Sequence, residues 1–330
     1  MKSTINEYKT IITIGSGFSG SSAIYEYFQK TKLFFDPFPN IEFSITYDPG
    51  GLVDIENLIK NNYSINQNQY IYNNFKNNIK FYTAKNRGIK QGKNLKLHFE
   101  DIESSLKIFL KNITDIHYKG ETMLTSFNKP LFYNLIDKLF FKYSFMRKKK
   151  QIKGNSILFK DLDNFYSEVN SLLNNVIYMR NVDNKNIILD QAGTIFNPQE
   201  TTKFYTNPCP ICILRDPRDI FIEFINKGPA YPGYNVLIFC DWYKNIIKKI
   251  KDINNTNKNV LFIWFEDFVL KNEETIEKIF NFISMKTPVT KNIEFDFERC
   301  RNNIYKYKKF ANLKDIKIIE NNLYENFYIS

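Results

Sequence analysis

Two apolar patterns alternate along this chain. Short β-branched runs predict buried strands, and segments with apolar residues at i, i+3 and i+4 predict helices. Thr10–Ile14 is the first such strand. Gly15–Gly20 is a turn, and Ser21–Lys30 reads as a helix with Ala23, Ile24, Tyr27 and Phe28 on one face. Lys32–Phe35 predicts a second strand, Asp36–Asn40 a loop and Ile41–Tyr47 a further extended segment. The Asp48–Gly51 turn then leads into a helix at Leu52–Lys60. Strand patterns recur at Asn186–Asp190, Pro210–Leu214 and Asn259–Phe265. Helical periodicity covers Ile220–Asn226, Leu237–Asn254, Glu273–Ile283 and Leu313–Tyr324.

Residues 60–180 break this rhythm. They are rich in Asn, Lys and aromatics and poor in Gly and Pro. Leu95–Ile113, Pro130–Tyr143 and Phe159–Met179 read as helices, and Arg147–Lys153 as a basic loop. The chain is therefore expected to be one α/β domain, 1–330, with a helix-rich insertion at about 60–180. Strands alternating with helices imply a mainly parallel central sheet flanked by helices. Ligands of such sheets sit beyond the carboxyl ends of the strands. Gly15–Ser22, Asp190–Gln191, Arg215–Asp219 and Glu266–Asp267 all fall there.

Composition narrows the function classes. The net charge of +11 favours anionic partners, without choosing among them. The lysines are widely spread and read as solvated faces, so no nucleic-acid partner is expected. The four cysteines are too few for a disulfide scaffold at this length. Cys209 and Cys212 have redox-motif spacing but run into an apolar strand pattern, where a redox pair should open a helix. No cluster has metal-ligand spacing, and no nucleophile elbow is present. The two histidines, His98 and His117, read as helix-face residues of the insertion. Met1–Thr10 is polar, and no transmembrane run occurs, so a soluble, cytoplasmic chain is expected.

The Gly-rich turn carries the strongest chemical signal. Gly15, Gly17 and Gly20 satisfy the dinucleotide pattern G-x-G-x-x-G, for which Asp36 is the candidate ribose acid. Gly15, Gly20 and Ser22 fit the frame of a phosphate-binding loop, with Ser21 in the lysine slot. Both templates rest on glycines that let a helix N-terminus approach an oxyanion. Without the lysine, cleavage of a γ-phosphate lacks its charge clamp.

A second unit of the same kind follows Pro210–Leu214. Arg215 can fork onto a phosphate, Pro217 can open a helix, and Asp219 complements its N-terminus. A dinucleotide enzyme has no use for this unit. A nucleotide with phosphates at two places does.

With both units in hand, the chain resembles the sulfotransferases that use 3′-phosphoadenosine 5′-phosphosulfate (PAPS). The resemblance covers residues 10–58 and about 186–325. The family's first motif is matched by Phe18, Ser19, Gly20, Ser21 and Ser22, and its second by residues 215–219 (Arg-Asp-Pro-Arg-Asp). Asp241–Tyr243 and Trp264–Asp267 are similar to its downstream helix and acidic strand end.

The resemblance implies a fold like that of the P-loop NTPases. It implies PAPS as cofactor, adenosine 3′,5′-bisphosphate as product and no metal. Gly17–Ser22 would hold the 5′-phosphosulfate, Arg215 the 3′-phosphate, and Arg301 would reach in from a C-terminal loop. Glu42 is the candidate general base. The acceptor would be a hydroxyl, or an amine, of a glycan or small molecule. Two positions depart from the family. Phe18 replaces its catalytic Lys or Arg, and Glu223 replaces a Ser that meets the 3′-phosphate. A dinucleotide-dependent oxidoreductase and a non-catalytic nucleotide- or glycan-binding member of the fold remain as alternatives.

Overall fold

The computed structural model describes residues 8–61, 63–85, 92–119, 132, 155–227, 235–256, 259–289, 293–310 and 312–328. The chain divides into two compact units, residues 1–46 with 180–330 and residues 47–179.

The first unit is an α/β layer structure. Its strands are β1 (Thr10–Gly15), β2 (Phe34–Phe35), β5 (Asn186–Asp190), β6 (Pro208–Leu214) and β7 (Leu261–Trp264). They form one parallel sheet in the order β2-β5-β1-β6-β7. Thr13 pairs with Asp190, Gly15 with Ile213 and Leu214 with Trp264. This register brings the carboxyl ends of β1, β5, β6 and β7 to one edge. Helices flank the sheet: α1 (Ser21–Thr31) follows β1, and α7 (Pro217–Lys227) follows β6.

Apolar strand residues are buried on both faces. Ile11, Ile188, Ile211, Ile213 and Ile263 pack with Tyr27 and Phe28 of α1 and with Phe268, Ile276 and Phe280. The last three belong to helices Phe265–Leu270 and Asn272–Phe282. Cys209 sits in this cluster, while Cys212 lies three strand residues on and faces the other way. All four cysteines are free and buried, and burial pushes the Cys212 thiol well up. The strand context thus separates the two sulfurs of the redox-like spacing.

The segment Ile41–Tyr47 does not form the expected strand. It is an irregular loop pinned to the end of β5, where the Phe43 N–H donates to the Asp190 carbonyl at 3.0 Å. The Thr46 hydroxyl donates to the Ala192 carbonyl at 3.3 Å.

The second unit holds α2 (Leu52–Asn61), α3 (Ile65–Thr83), α4 (Ile102–Asn112) and α5 (Leu162–Val176). It also contains a feature the pattern missed, an antiparallel pair of β3 (Thr114–Lys119) and β4 (Asn155–Phe159). The helix expected at Leu95–Ile113 is split. A 3₁₀ turn at Leu95–Leu97 precedes α4, which starts only at Ile102. Phe159 closes β4, so α5 starts at Leu162 with Asp161 as its cap. Neither histidine lies on a helix face: His98 ends the 3₁₀ turn and His117 sits on β3. The expected helix at Pro130–Tyr143, Phe132 apart, and the basic loop at Arg147–Lys153 lie outside the described residues. Among the described residues no helix is long and apolar enough to cross a membrane.

Candidate functional site

The turn between β1 and α1 is shaped by backbone sterics. Gly20 has φ 90°, in the left-handed region, and a Cβ there would lie 2.4 Å from the Phe265 ring. Only glycine fits both conditions. At Gly15 a Cβ would meet the Ser19 Oγ at 2.1 Å. Phe18 also has a positive φ, 60°, which is costly for a bulky residue.

Four contacts hold this geometry. The Gln191 side chain accepts from the Gly15 N–H at 3.1 Å and donates to the Ser21 Oγ at 2.8 Å. The Phe18 carbonyl accepts from Arg215 Nη1 at 2.7 Å. The Phe18 ring packs edge-on against Phe224, with centroids 4.9 Å apart.

The result is a run of backbone donors at the start of α1. Among the described residues, the N–H groups of Gly17, Phe18, Ser19, Gly20, Ser21 and Ser22 meet no acceptor. The first turn of α1 carries no acidic residue. The Ser19 Oγ is buried and has no partner. Donors without acceptors at a helix start invite a phosphate-like group.

Arg215 follows β6, is only 4 % exposed and bridges two loops. Its Nη1 donates to Phe18, its Nη2 donates to the Asn303 carbonyl, and its Nε is buried without a partner. Its guanidinium also lies 5.4 Å from the Phe265 ring centre. The carboxylate of Glu223 stands 4.0 Å from Nη2 and is paired with Lys306. Of the three nitrogens of Arg215, two are therefore taken by carbonyls and one points unpaired into the interior.

The residues after Arg215 anchor the segment after α11 (Phe297–Arg301). Asp216 caps α7 by accepting from the Arg218 N–H at 2.9 Å, and Pro217 sits at the first helical position. Asp219 is fully buried and accepts from the Tyr305 and Tyr307 N–H groups at 2.7 and 3.0 Å. Arg218 forks onto Asp216 and lies between the Tyr307 and Phe327 rings. Glu266 accepts from the Asp216 N–H at 2.9 Å through one oxygen, and the other has no partner. Burial pushes its carboxyl up to about 8, with the charge of Asp216 adding to the rise.

The expected site residues are thus partly brought together. Gly17–Ser22 and Arg215 share one site, joined through Phe18. Glu42 is exposed in the loop pinned to Asp190. Arg301 is half exposed and pairs with Glu298. Asp36 accepts from Tyr25 at 2.5 Å, Gln29 at 2.8 Å and the Phe38 N–H at 3.1 Å. Gln191, Asn303, Glu223 and Lys306 complete the site. Of these, Gln191 carried a signal in its place one residue beyond a strand end, and Glu223 in its place eight residues after Arg215.

A 5′-phosphosulfate fits the donor chemistry of the turn, which offers unpaired N–H groups and the Ser19 hydroxyl. A 3′-phosphate fits Arg215 less openly, because carbonyls and Glu223 already surround its guanidinium.

No family model matches the chain. A Caenorhabditis briggsae protein named "Putative protein-tyrosine sulfotransferase" is 27 % identical over 88 residues. The match spans 26 % of this chain and 31 % of that protein. The chain is therefore similar to a protein named as a sulfotransferase over about a quarter of its length, and the match spans about a third of that relative.

Proposed function

We propose that this chain is a sulfotransferase that moves a sulfuryl group from PAPS to a hydroxyl of a glycan or small acceptor. The observation that carries the reading is the cradle of unpaired N–H groups at residues 17–22, tied through the Phe18 carbonyl to Arg215. The similarity to a protein named as a tyrosine sulfotransferase supports the same reaction class and adds the tyrosine phenol to the acceptors worth testing.

In this reading Gly17–Ser22 bind the 5′-phosphosulfate, and the partial positive end of α1 stabilises negative charge there. Bound donor supplies an activated sulfur and a good leaving phosphate. The S–O bond to phosphate breaks as an S–O bond to the acceptor oxygen forms. Glu42 takes the acceptor's proton. Phe18 is uncharged, so backbone dipoles do the electrostatic work that a cation performs elsewhere in the family. At the 3′ end, Arg215 Nε and Lys306 are the basic groups, and Glu223 opposes them.

Phe18 also favours a second reading, a nucleotide-binding module without turnover. The engagement of Asp36 with Tyr25, Gln29 and Phe38 counts against the dinucleotide alternative.

Calorimetric titration with adenosine 3′,5′-bisphosphate and with NAD, followed by transfer of radiolabelled sulfate from PAPS to tyrosine peptides and glycans, tests the proposal. Bisphosphate binding with transfer to any acceptor is the expected result. Binding without transfer establishes the second reading. Binding of NAD alone overturns both.

A further inference from the structure

The second unit carries a pocket that the nucleotide site does not use. It has a volume of about 520 Å³ and is lined by Tyr72, Lys76, Ile79 and Lys80 of α3, Glu103, Lys107, Leu110 and Lys111 of α4, and His117 of β3. The two helices present the same pattern. Each places a lysine at one position, an apolar residue three later and a second lysine four later: Lys76, Ile79, Lys80 and Lys107, Leu110, Lys111. That spacing puts each trio on one helical face. Ile79 and Leu110 are buried and form the floor, while the four lysines stand exposed at the rim.

Charge in the pocket is one-sided. Glu103 is its one acid, and it pairs with Lys107 and with the nearby Lys96. Those partners hold its carboxyl down at about 2, so it stays ionised and satisfied. Among the described residues, nothing pairs with Lys76, Lys80 or Lys111. A concave surface rimmed by unpaired ammonium groups concentrates anions.

We infer that this pocket binds an acidic oligosaccharide, with sugar rings on the Ile79–Leu110–Tyr72 floor and their carboxylate or sulfate groups on the lysines of both helices. The floor suits the apolar face of a sugar ring. Lysines act as point charges that accept acidic groups over a range of angles. A single-stranded nucleic acid needs a succession of stacking rings, and Tyr72 and His117 alone among the lining residues carry one. An acidic peptide can meet the lysines but offers no ring face to the Ile79–Leu110 floor. The inference concerns binding alone and does not depend on the transferase reading.

The test is calorimetry on the full chain at low and moderate salt, with tetragalacturonate, its neutral methyl ester and tetraglutamate as probes. Tetragalacturonate should bind with a salt-dependent affinity, and the ester and the peptide should bind at least tenfold more weakly. Lys80→Glu with Lys111→Glu should abolish binding without changing the melting temperature. If that pair of changes unfolds the unit, Lys111→Gln alone should weaken binding by roughly threefold, the scale of one exposed ion pair. No binding of tetragalacturonate, equal binding of tetraglutamate, or full binding by the charge-reversed or Lys111→Gln chain overturns the inference.

Discussion

The Arg215 guanidinium donates to the Phe18 carbonyl at 2.7 Å, across 197 positions of sequence. The same side chain also donates to Asn303. One buried cation thereby fixes the Gly-rich turn and the segment after α11 in a single arrangement. Phe18 sits at φ 60° within that arrangement, so Arg215 helps to hold a backbone conformation the residue disfavours.

Replacing Arg215 therefore tests structure and binding together. Arg215→Ala should cost roughly 3 kcal/mol, since two charge-assisted bonds to partly buried carbonyls are lost. Arg215→Lys should recover only part of this, because one ammonium cannot match a planar fork. Urea unfolding of both variants measures the difference, and equal stability of all three chains would contradict the bridging role.

The pattern of the chain displayed the sheet and the turn but not this bridge. β1, β5 and β6 were legible because Ile11, Ile188 and Ile211 lie in short runs of β-branched and apolar residues. The Gly15–Ser22 turn was legible because its glycines mark a strand-to-helix junction. Arg215 read as a phosphate fork because its partners, Phe18 and Asn303, offer backbone carbonyls, and a carbonyl leaves no mark on sequence. The β3–β4 pair was hidden for another reason: Lys119 pairs with Asn155, across a long intervening segment. Ile41–Tyr47 looked like a strand by composition, yet its Phe43 N–H bonds only to the tip of β5.

Gly20→Ala should remove anion binding at the turn. The new methyl meets the Phe265 ring at a left-handed φ, so either the ring or the turn must move. Adenosine 3′,5′-bisphosphate affinity should fall at least tenfold while the sheet persists, as read by calorimetry beside circular dichroism. Unchanged affinity would remove the turn from the binding site.

Glu223→Ser should strengthen nucleotide binding selectively. The substitution removes an anion near Arg215 and releases Lys306 from its ion pair. Affinity for adenosine 3′,5′-bisphosphate should rise about tenfold, the scale of about one charge-assisted hydrogen bond, with 5′-AMP little changed. An equal gain for both nucleotides would place Glu223 away from a 3′-phosphate.

Glu266 gives the fold a pH dependence of definite sign. Its carboxyl is raised to about 8 in the folded chain by burial, whereas an unfolded glutamate titrates near ~4.3. Between these values the folded state holds the proton more tightly, so its contribution to stability falls as pH rises and levels off above about 8. Glu266→Gln should flatten that decline and leave the capping acceptor for the Asp216 N–H in place. Urea midpoints at pH 5, 7 and 9 read the slopes, and parallel slopes in both chains would refute the assignment.

Asp219→Ala should loosen the segment that carries Tyr305 and Tyr307. Each of those N–H groups loses a charged acceptor worth about 1.5–3 kcal/mol. Hydrogen exchange at the two amides should accelerate sharply, while amides of β1 keep their protection.

All four thiols of the chain lie inside the packed layers of the first unit, on β6, on the Val236–Thr256 helix and on α11. Cys209 and Cys300 share one core cluster, and Cys212 lies on the other face of the sheet. A membrane-permeant alkylating reagent added to the native chain would therefore act as a set of clocks, keeping time for the opening of the layers that cover the thiols. Mapping which cysteine is tagged first would reveal the order in which this architecture comes apart, without any engineered probe.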